Sequence, residues 1–225
     1  MNLMDALLPV IAIAFEKQLH LADIVGNRSW SFSMDSGEVR FDNDFAFKVQ
    51  LLGTEADAGQ TWLWAWANSA SGIPLELLDS AHQMRAYGHQ TQIRALTETE
   101  VPLDNLHNGH MFSMLASGLL ESSGGYYRGP YPGGALFMLI DDRDFPTDLR
   151  DPVQRIGVTF PQLISAIALP SHLEAFLGYL QAHQLTVEHE AESQIVQAQS
   201  GNGQVIRAEF DASDRLMSLN ASLHP

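Results

Sequence analysis

The sequence predicts an α+β protein in which antiparallel β-meanders are packed by helices, with helix-plus-meander units at both ends. Three observations carry that prediction. Apolar residues near the start of the chain, and again beyond residue 150, recur at helical spacing. Each of these stretches is followed by short segments of alternating polarity. The turns between those segments hold only a few residues, too few for the crossovers that parallel strands need.

The first helix is read from Leu7, Ile11, Phe15 and Leu19, which recur every four residues and define one face. The apolar run 6–15, with Ala12-Ile13-Ala14 near its end, imitates a signal peptide. No Lys or Arg precedes it, however, Asp5 is negative and Pro9 interrupts it. It is also far shorter than the ~20 apolar residues of a membrane span. The expectation is a cytoplasmic protein with no membrane segment, in which the sequons at Asn27 and Asn220 have no consequence.

Four strands follow. Trp30, Phe32 and Met34 alternate with serines; residues 38–41 return after the turn Asp35-Ser36-Gly37; Phe45, Phe47, Val49 and Leu51 alternate up to Gly53; and residues 61–67 form the fourth. In that fourth strand Trp62, Trp64 and Trp66 lie at i, i+2 and i+4, so all three are predicted to share its core face. Pro74 opens a helix through Leu77, Leu78, Ala81 and Met84 that stops at Gly88. Residues 89–105 show little pattern, and a further helix is expected over 109–121. Tyr126 to Gly134 reads as an aromatic loop leading to residues 135–140, whose two apolar faces place them centrally in a sheet.

The charged, proline-bearing stretch 141–152 is the best boundary in the chain. The expected division is therefore an N-terminal α+β domain over 1–145 and a C-terminal α+β unit over 150–225. In the second part, Thr159 with Gln162 and Ser171 with Glu174 have capping-box spacing, predicting two helix starts. Leu173, Phe176, Leu177 and Leu180 share one face of the second helix. Strands are expected at 185–191, 194–199, 204–210 and 216–223, with Gly201-Asn202-Gly203 and Asp211-Ala212-Ser213-Asp214 as hairpin turns.

Charge narrows the function. The chain of 225 residues has 12 Lys and Arg against 27 Asp and Glu, a formal charge of −15. That excludes the usual reader of nucleic acid, which needs a basic face. It favours instead a basic protein partner, if the acids form a capturing surface rather than serving solubility alone. The lack of cysteine excludes disulfides, thiolate zinc sites and a cysteine nucleophile.

One stretch resembles a known family. Leu52-Gly53-Thr54-Glu55 followed by Thr61-Trp62-Leu63-Trp64-Ala65-Trp66-Ala67-Asn68, with Trp30 upstream and Leu78, Ala81 and Arg85 downstream, is similar to an uncharacterised bacterial domain-of-unknown-function family. The resemblance covers about the first 140 residues, one domain's length. It implies no activity and no catalytic residue. Beyond residue 150 the helix-plus-meander pattern resembles cystatin-type or nuclear-transport-factor-type sheets, an analogy of fold alone.

The residues themselves present no G-x-S-x-G elbow, H-E-x-x-H or phosphate-binding loop. Asp104, His107 and His110 recur every three residues, but Asn108-Gly109 interrupts them and a capped helix start is the plainer reading. Asp141, Asp142 and Asp144 follow the apolar strand, where carboxylates often bind metals or act as bases, yet they lack the Gly and distal Glu of a calcium loop. His183 and His189 have no nucleophile to serve. Tyr126, Tyr127, Arg128 and Tyr131 concentrate contact-prone side chains in one segment, which either binds a partner or covers a sheet edge. The expectation is a non-catalytic binding or protein-interaction protein, with Tyr126, Tyr127, Arg128, Tyr131, Asp141 and Asp142 as candidate binding residues. No catalytic residue, cofactor or metal is assigned. The alternative is a small-molecule binder or enzyme with a cleft between helix and sheet, using Asp141, Asp142 and a nearby histidine.

Overall fold

The computed structural model describes residues 1–120, 122–190 and 192–222. Glu121, Ala191 and Leu223, the expected ends of one helix and two strands, lie outside them. Five helices and two antiparallel sheets make this an α+β fold built from meanders. Among the described residues no helix is long and apolar enough to cross a membrane. The chain divides into two compact units, one of 1–7 with 17–146 and the other of 8–16 with the chain from 147 onward.

Helix α1 (Leu3–Val25) starts in a capping box, in which Asn2 Oδ1 accepts the Asp5 N–H and Asp5 accepts the Asn2 N–H. In the first unit its Leu21 and Val25 join the core of a seven-stranded sheet. Strands β1 (Trp30–Ser33), β2 (Glu38–Phe41), β3 (Phe45–Ala56), β4 (Thr61–Trp64) and β5 (Glu100–Pro102) lie in sequence order. Strands β6 (Tyr126–Tyr131) and β7 (Gly134–Ile140) form a hairpin, and β7 pairs with β3 from Val49↔Ile140 to Ala56↔Gly134. Strand β7 is thus central, as its two apolar faces predict. The register shifts between Leu51 and Gly53, so Leu52 is an extra residue and β3 is bulged there.

Four sequence expectations for the first unit need correction. Tyr126 to Tyr131 is strand β6 rather than a loop, because the apolar β7 needs a hydrogen-bonding neighbour on each side. Strand β5 was hidden in the weakly patterned stretch, since three residues are too few for an alternation to show. The helix expected over 74–88 splits into a 3₁₀ turn (Leu75–Leu77) and α2 (Asp79–Thr91). Gly88 lies within α2 and does not end it. A Cβ there would sit 2.6 Å from Leu96 Cβ, so the glycine serves close packing, and the helix stops instead at left-handed Gln92.

The fourth correction concerns the tryptophans. Trp62 and Trp64 are fully buried on one face of β4, against Phe112 of α3 (Gly109–Leu119) and Phe137 of β7. Trp64 Nε1 donates to the Ala95 carbonyl at 2.9 Å. The indole of Trp62 lies on Gly53, where a Cβ would fall 2.4 Å from a ring carbon. The strand ends at Trp64, however, and a 3₁₀ turn over Ala65–Ala67 swings Trp66 out of the row. Trp66 is half-buried with the Arg85 guanidinium 4.1 Å above its ring. Trp64→Ala should therefore cost about 3–5 kcal/mol in urea denaturation. Trp66→Ala should cost clearly less, because it loses a partly solvated ring and an exposed cation–π contact. Equal losses would show that all three rings belong to one core.

In the second unit, α4 (Pro152–Ala166) and α5 (His172–Ala182) cover a four-stranded meander of β8 (Thr186–Glu190), β9 (Ile195–Gln199), β10 (Val205–Phe210) and β11 (Leu216–Ser222). Alternation is cleanest on β10, where Ile206, Ala208 and Phe210 point inward. Ser171 caps α5 as its spacing predicts. Thr159 caps nothing. It lies buried inside α4, whose cap is Asp151, with Pro152 in the first turn where its missing N–H costs nothing.

Residues 8–16 of α1 belong to this unit and bring a buried carboxylate into it. Glu16 accepts hydrogen bonds from the Tyr179 hydroxyl, from His183 Nε2 at 3.0 Å and from Arg155 at 2.9 Å. Burial pushes its pKa up, but the bonds from His183 and Tyr179 and the charge of Arg155 outweigh burial and hold it below the ordinary 4.5. A folded-state pKa below the unfolded one gives a contribution that is complete above the unfolded value and is lost as pH falls through the folded one. Glu16→Gln should cost about 3–5 kcal/mol at neutral pH, since it strands Arg155. Urea midpoints from about pH 6 to about pH 3 should fall more steeply for the wild type than for the variant. Parallel profiles would remove Glu16 from this role.

Candidate functional site

Side-chain alternation along β6 divides the candidate tyrosines between the two faces of the sheet. Tyr126 and Arg128 lie with Phe137 on the face covered by α3, and Tyr127, Gly129 and Tyr131 lie on the opposite face with Trp30.

On the first face, the Tyr126 hydroxyl is 2.8 Å from His110 Nδ1. Burial, reinforced by the Glu55 carboxylate, holds the phenol well above its ordinary pKa, so the hydroxyl keeps its proton. Burial and Arg128 in turn keep His110 below its usual value against the pull of Glu55. Glu55 Oε1 accepts the Gly109 N–H at 2.7 Å, at the electropositive start of α3. These groups fasten α3 to the sheet.

The aspartates lie elsewhere. Asp142 accepts the Lys48 N–H at 2.7 Å through one carboxylate oxygen and the Asp144 N–H at 2.9 Å through the other, which shapes the turn after β7. Asp141 is exposed beside a small polar hollow with Ser80 and Gln83. Asp104 accepts the N–H groups of Leu106 and His107 and pairs with the His107 ring, which holds its carboxyl at a pKa of about 2. His107 and His110 thus serve different partners. Among the described residues no group of three or more His, Asp or Glu side chains could hold a metal ion.

The opposite face carries the candidate site. There the apolar core of the first unit, of which Leu51 is part, opens into a groove of about 420 Å³. Trp30, Phe32 and Met34 from β1 and its turn line it together with Leu136, Ile73 and Tyr131. Trp30 meets β6 with its outer ring edge. A Cβ on Gly129 would lie 2.6–2.9 Å from three of its ring carbons, so glycine is needed for the contact. One side of the indole packs on Tyr127, with ring centroids 5.8 Å apart. Tyr127 and Tyr131 flank Gly129 along the strand, and Tyr131, which also lines the groove, is 44% exposed.

The polar lining consists of Ser31, Thr54, Asn68 and Ser71. Their side chains, and the Tyr131 hydroxyl, have no hydrogen-bond partner among the described residues. Every lining side chain is neutral. Such a concavity, apolar with a few polar groups, has the size and make-up of a small-molecule site.

The strands of the first unit, the groove and α3 all lie within residues 6–143, which match a family described as a family of unknown function, DUF6882. The chain belongs to that family. No curated protein and no solved structure matches it. The groove of this DUF6882 chain is thus part of the matched region.

Of the candidate binding residues, Tyr131 alone lines the groove. Tyr127 supports its wall, Tyr126 and Arg128 face α3, and Asp141 and Asp142 lie outside it. Sequence reasoning missed Trp30 and Asn68 as site residues. The usable signal was Gly129, since a glycine within a strand marks a close approach. Gly129→Val should push Trp30 off the strand, costing about 1–3 kcal/mol in urea denaturation. Acrylamide quenching should increase in step. A variant as stable and as quencher-protected as wild type would show that the glycine is dispensable.

Proposed function

We propose that this is a non-catalytic binding protein whose ligand is a small neutral molecule held in the groove of the first unit. The observation that carries the reading is a roomy, aromatic, wholly uncharged concavity in a chain with a net charge of −15. A surface patch that only had to stay soluble would share in that charge. Apolar walls supply affinity and the hydroxyls and amide supply orientation, the usual division of labour in ligand pockets. A cytoplasmic setting accords with the absence of cysteine.

The net charge favours a second reading, in which an acidic surface captures a basic protein. Its mark is a complex whose yield falls steeply between low and physiological salt, and a salt-indifferent complex would end it.

For the first reading, a thermal-shift screen of neutral drug-sized compounds should find stabilisers. A ligand at a hundred times its Kd adds about 2.7 kcal/mol. Tyr131→Ala should abolish the shift while leaving the melting temperature of the free protein nearly unchanged. A ligand that stabilised both proteins equally would bind elsewhere, and a screen without stabilisers would count against the proposal.

A further inference from the structure

We infer that the groove takes an uncharged heteroaromatic ring system, one that carries hydrogen-bond donors and acceptors on its edge and no phosphate or carboxylate. This deepens the reading above and rests on the groove being a ligand site.

Three features of the lining point to that class. The first is the aromatic wall. Trp30 is held by its outer edge on Gly129 and packs on Tyr127, which fixes the ring, and it lines the groove. A fixed, partly open indole favours a flat π-system, because stacking gains contact area without ordering a flexible chain. Tyr131 offers a second ring in the lining.

The second feature is the polar complement. The Asn68 amide caps no helix and is unpaired among the described residues, so it offers both a donor and an acceptor. Thr54 and Ser71 add hydroxyls that can play either part. An alkyl chain would leave all of them unsatisfied as it displaced water, and each such group is costly. The edge of a heterocycle matches them, and an Asn amide pairing with a ring edge is a common way to read a base.

The third is electrostatic. No lining side chain is cationic, so an anionic substituent would find no counter-charge there. It would also have to approach a chain of net charge −15. The ring system must therefore enter without an ionised group.

The test is calorimetric titration of the full chain with adenosine and riboflavin as neutral heteroaromatic probes, with AMP and flavin mononucleotide as their phosphorylated counterparts, and with decanol as a neutral aliphatic. At least one of the neutral heteroaromatic probes should bind, and its phosphate ester should bind at least about tenfold more weakly. Trp30→Leu should weaken that probe by about tenfold or more. Asn68→Ala removes no hydrogen bond among the described residues and should leave the melting temperature nearly unchanged. It should nevertheless weaken the probe by about tenfold. Equal binding of a probe and its phosphate ester, or full affinity in Asn68→Ala, would overturn the inference. If decanol bound and no heteroaromatic did, the inference would fall and the small-molecule reading would stand. If neither class bound, both would fall.

Discussion

One extra residue, Leu52, organises the first unit. Strand β3 pairs with β2, β4 and β7, so the direction of its side chains sets what each face of the sheet carries. Before the bulge, Phe47, Val49 and Leu51 share the face of Met138 and Ile140 and build the main core there. Past it the odd positions cross over. Gly53 comes under Trp62 and Glu55 reaches the start of α3, while Thr54 takes the place beside Leu136 in the groove. Were Leu52 paired as a regular strand residue, Glu55 would project on the groove side and the indole of Trp62 would lose its glycine platform. The neutrality of the groove and the packing of the tryptophans both follow from the bulge that absorbs it.

The two faces then divide the work. On the α3 face, Trp62, Trp64, Phe112 and Phe137 interlock at centroid separations of 5.2–5.4 Å, His110 bonds Tyr126, and Glu55 bonds the start of the helix. That face is closed by packing. On the other face the aromatic residues run out before the sheet does, and the polar side chains at its margin keep their bonding capacity. A rigid packed face behind an open one is a suitable support for binding, because the walls do not have to be ordered when a ligand arrives.

Much of this architecture was legible in the residues. Alternating serines and aromatics announced β1, the spacing of Ser171 and Glu174 announced the start of α5, and the apolar run 135–140 announced a central strand. The failures have physical causes. The bulge at Leu52 breaks no pattern, because Leu51 and Leu52 are both apolar and both buried. Trp66 follows the strand period, but backbone torsions after Trp64, not side-chain spacing, decide where the strand ends. Thr159 carries a capping signal that a stronger one, Asp151-Pro152, overrides. The groove depends on residues as distant in sequence as Trp30, Asn68 and Tyr131, a juxtaposition that local pattern does not reveal.

The short segment of α1 that carries Glu16 bears on how such chains can be cut and recombined. The stretch that defines family membership, residues 6–143, includes Glu16. The groups that neutralise and bond its carboxylate, Arg155, Tyr179 and His183, all come from beyond its end. Transplanted alone, that stretch would carry an orphaned anion in the middle of its opening helix. The boundary that heredity draws along this polypeptide and the boundary across which its charges balance are different lines, and a fragment designed on the first would violate the second.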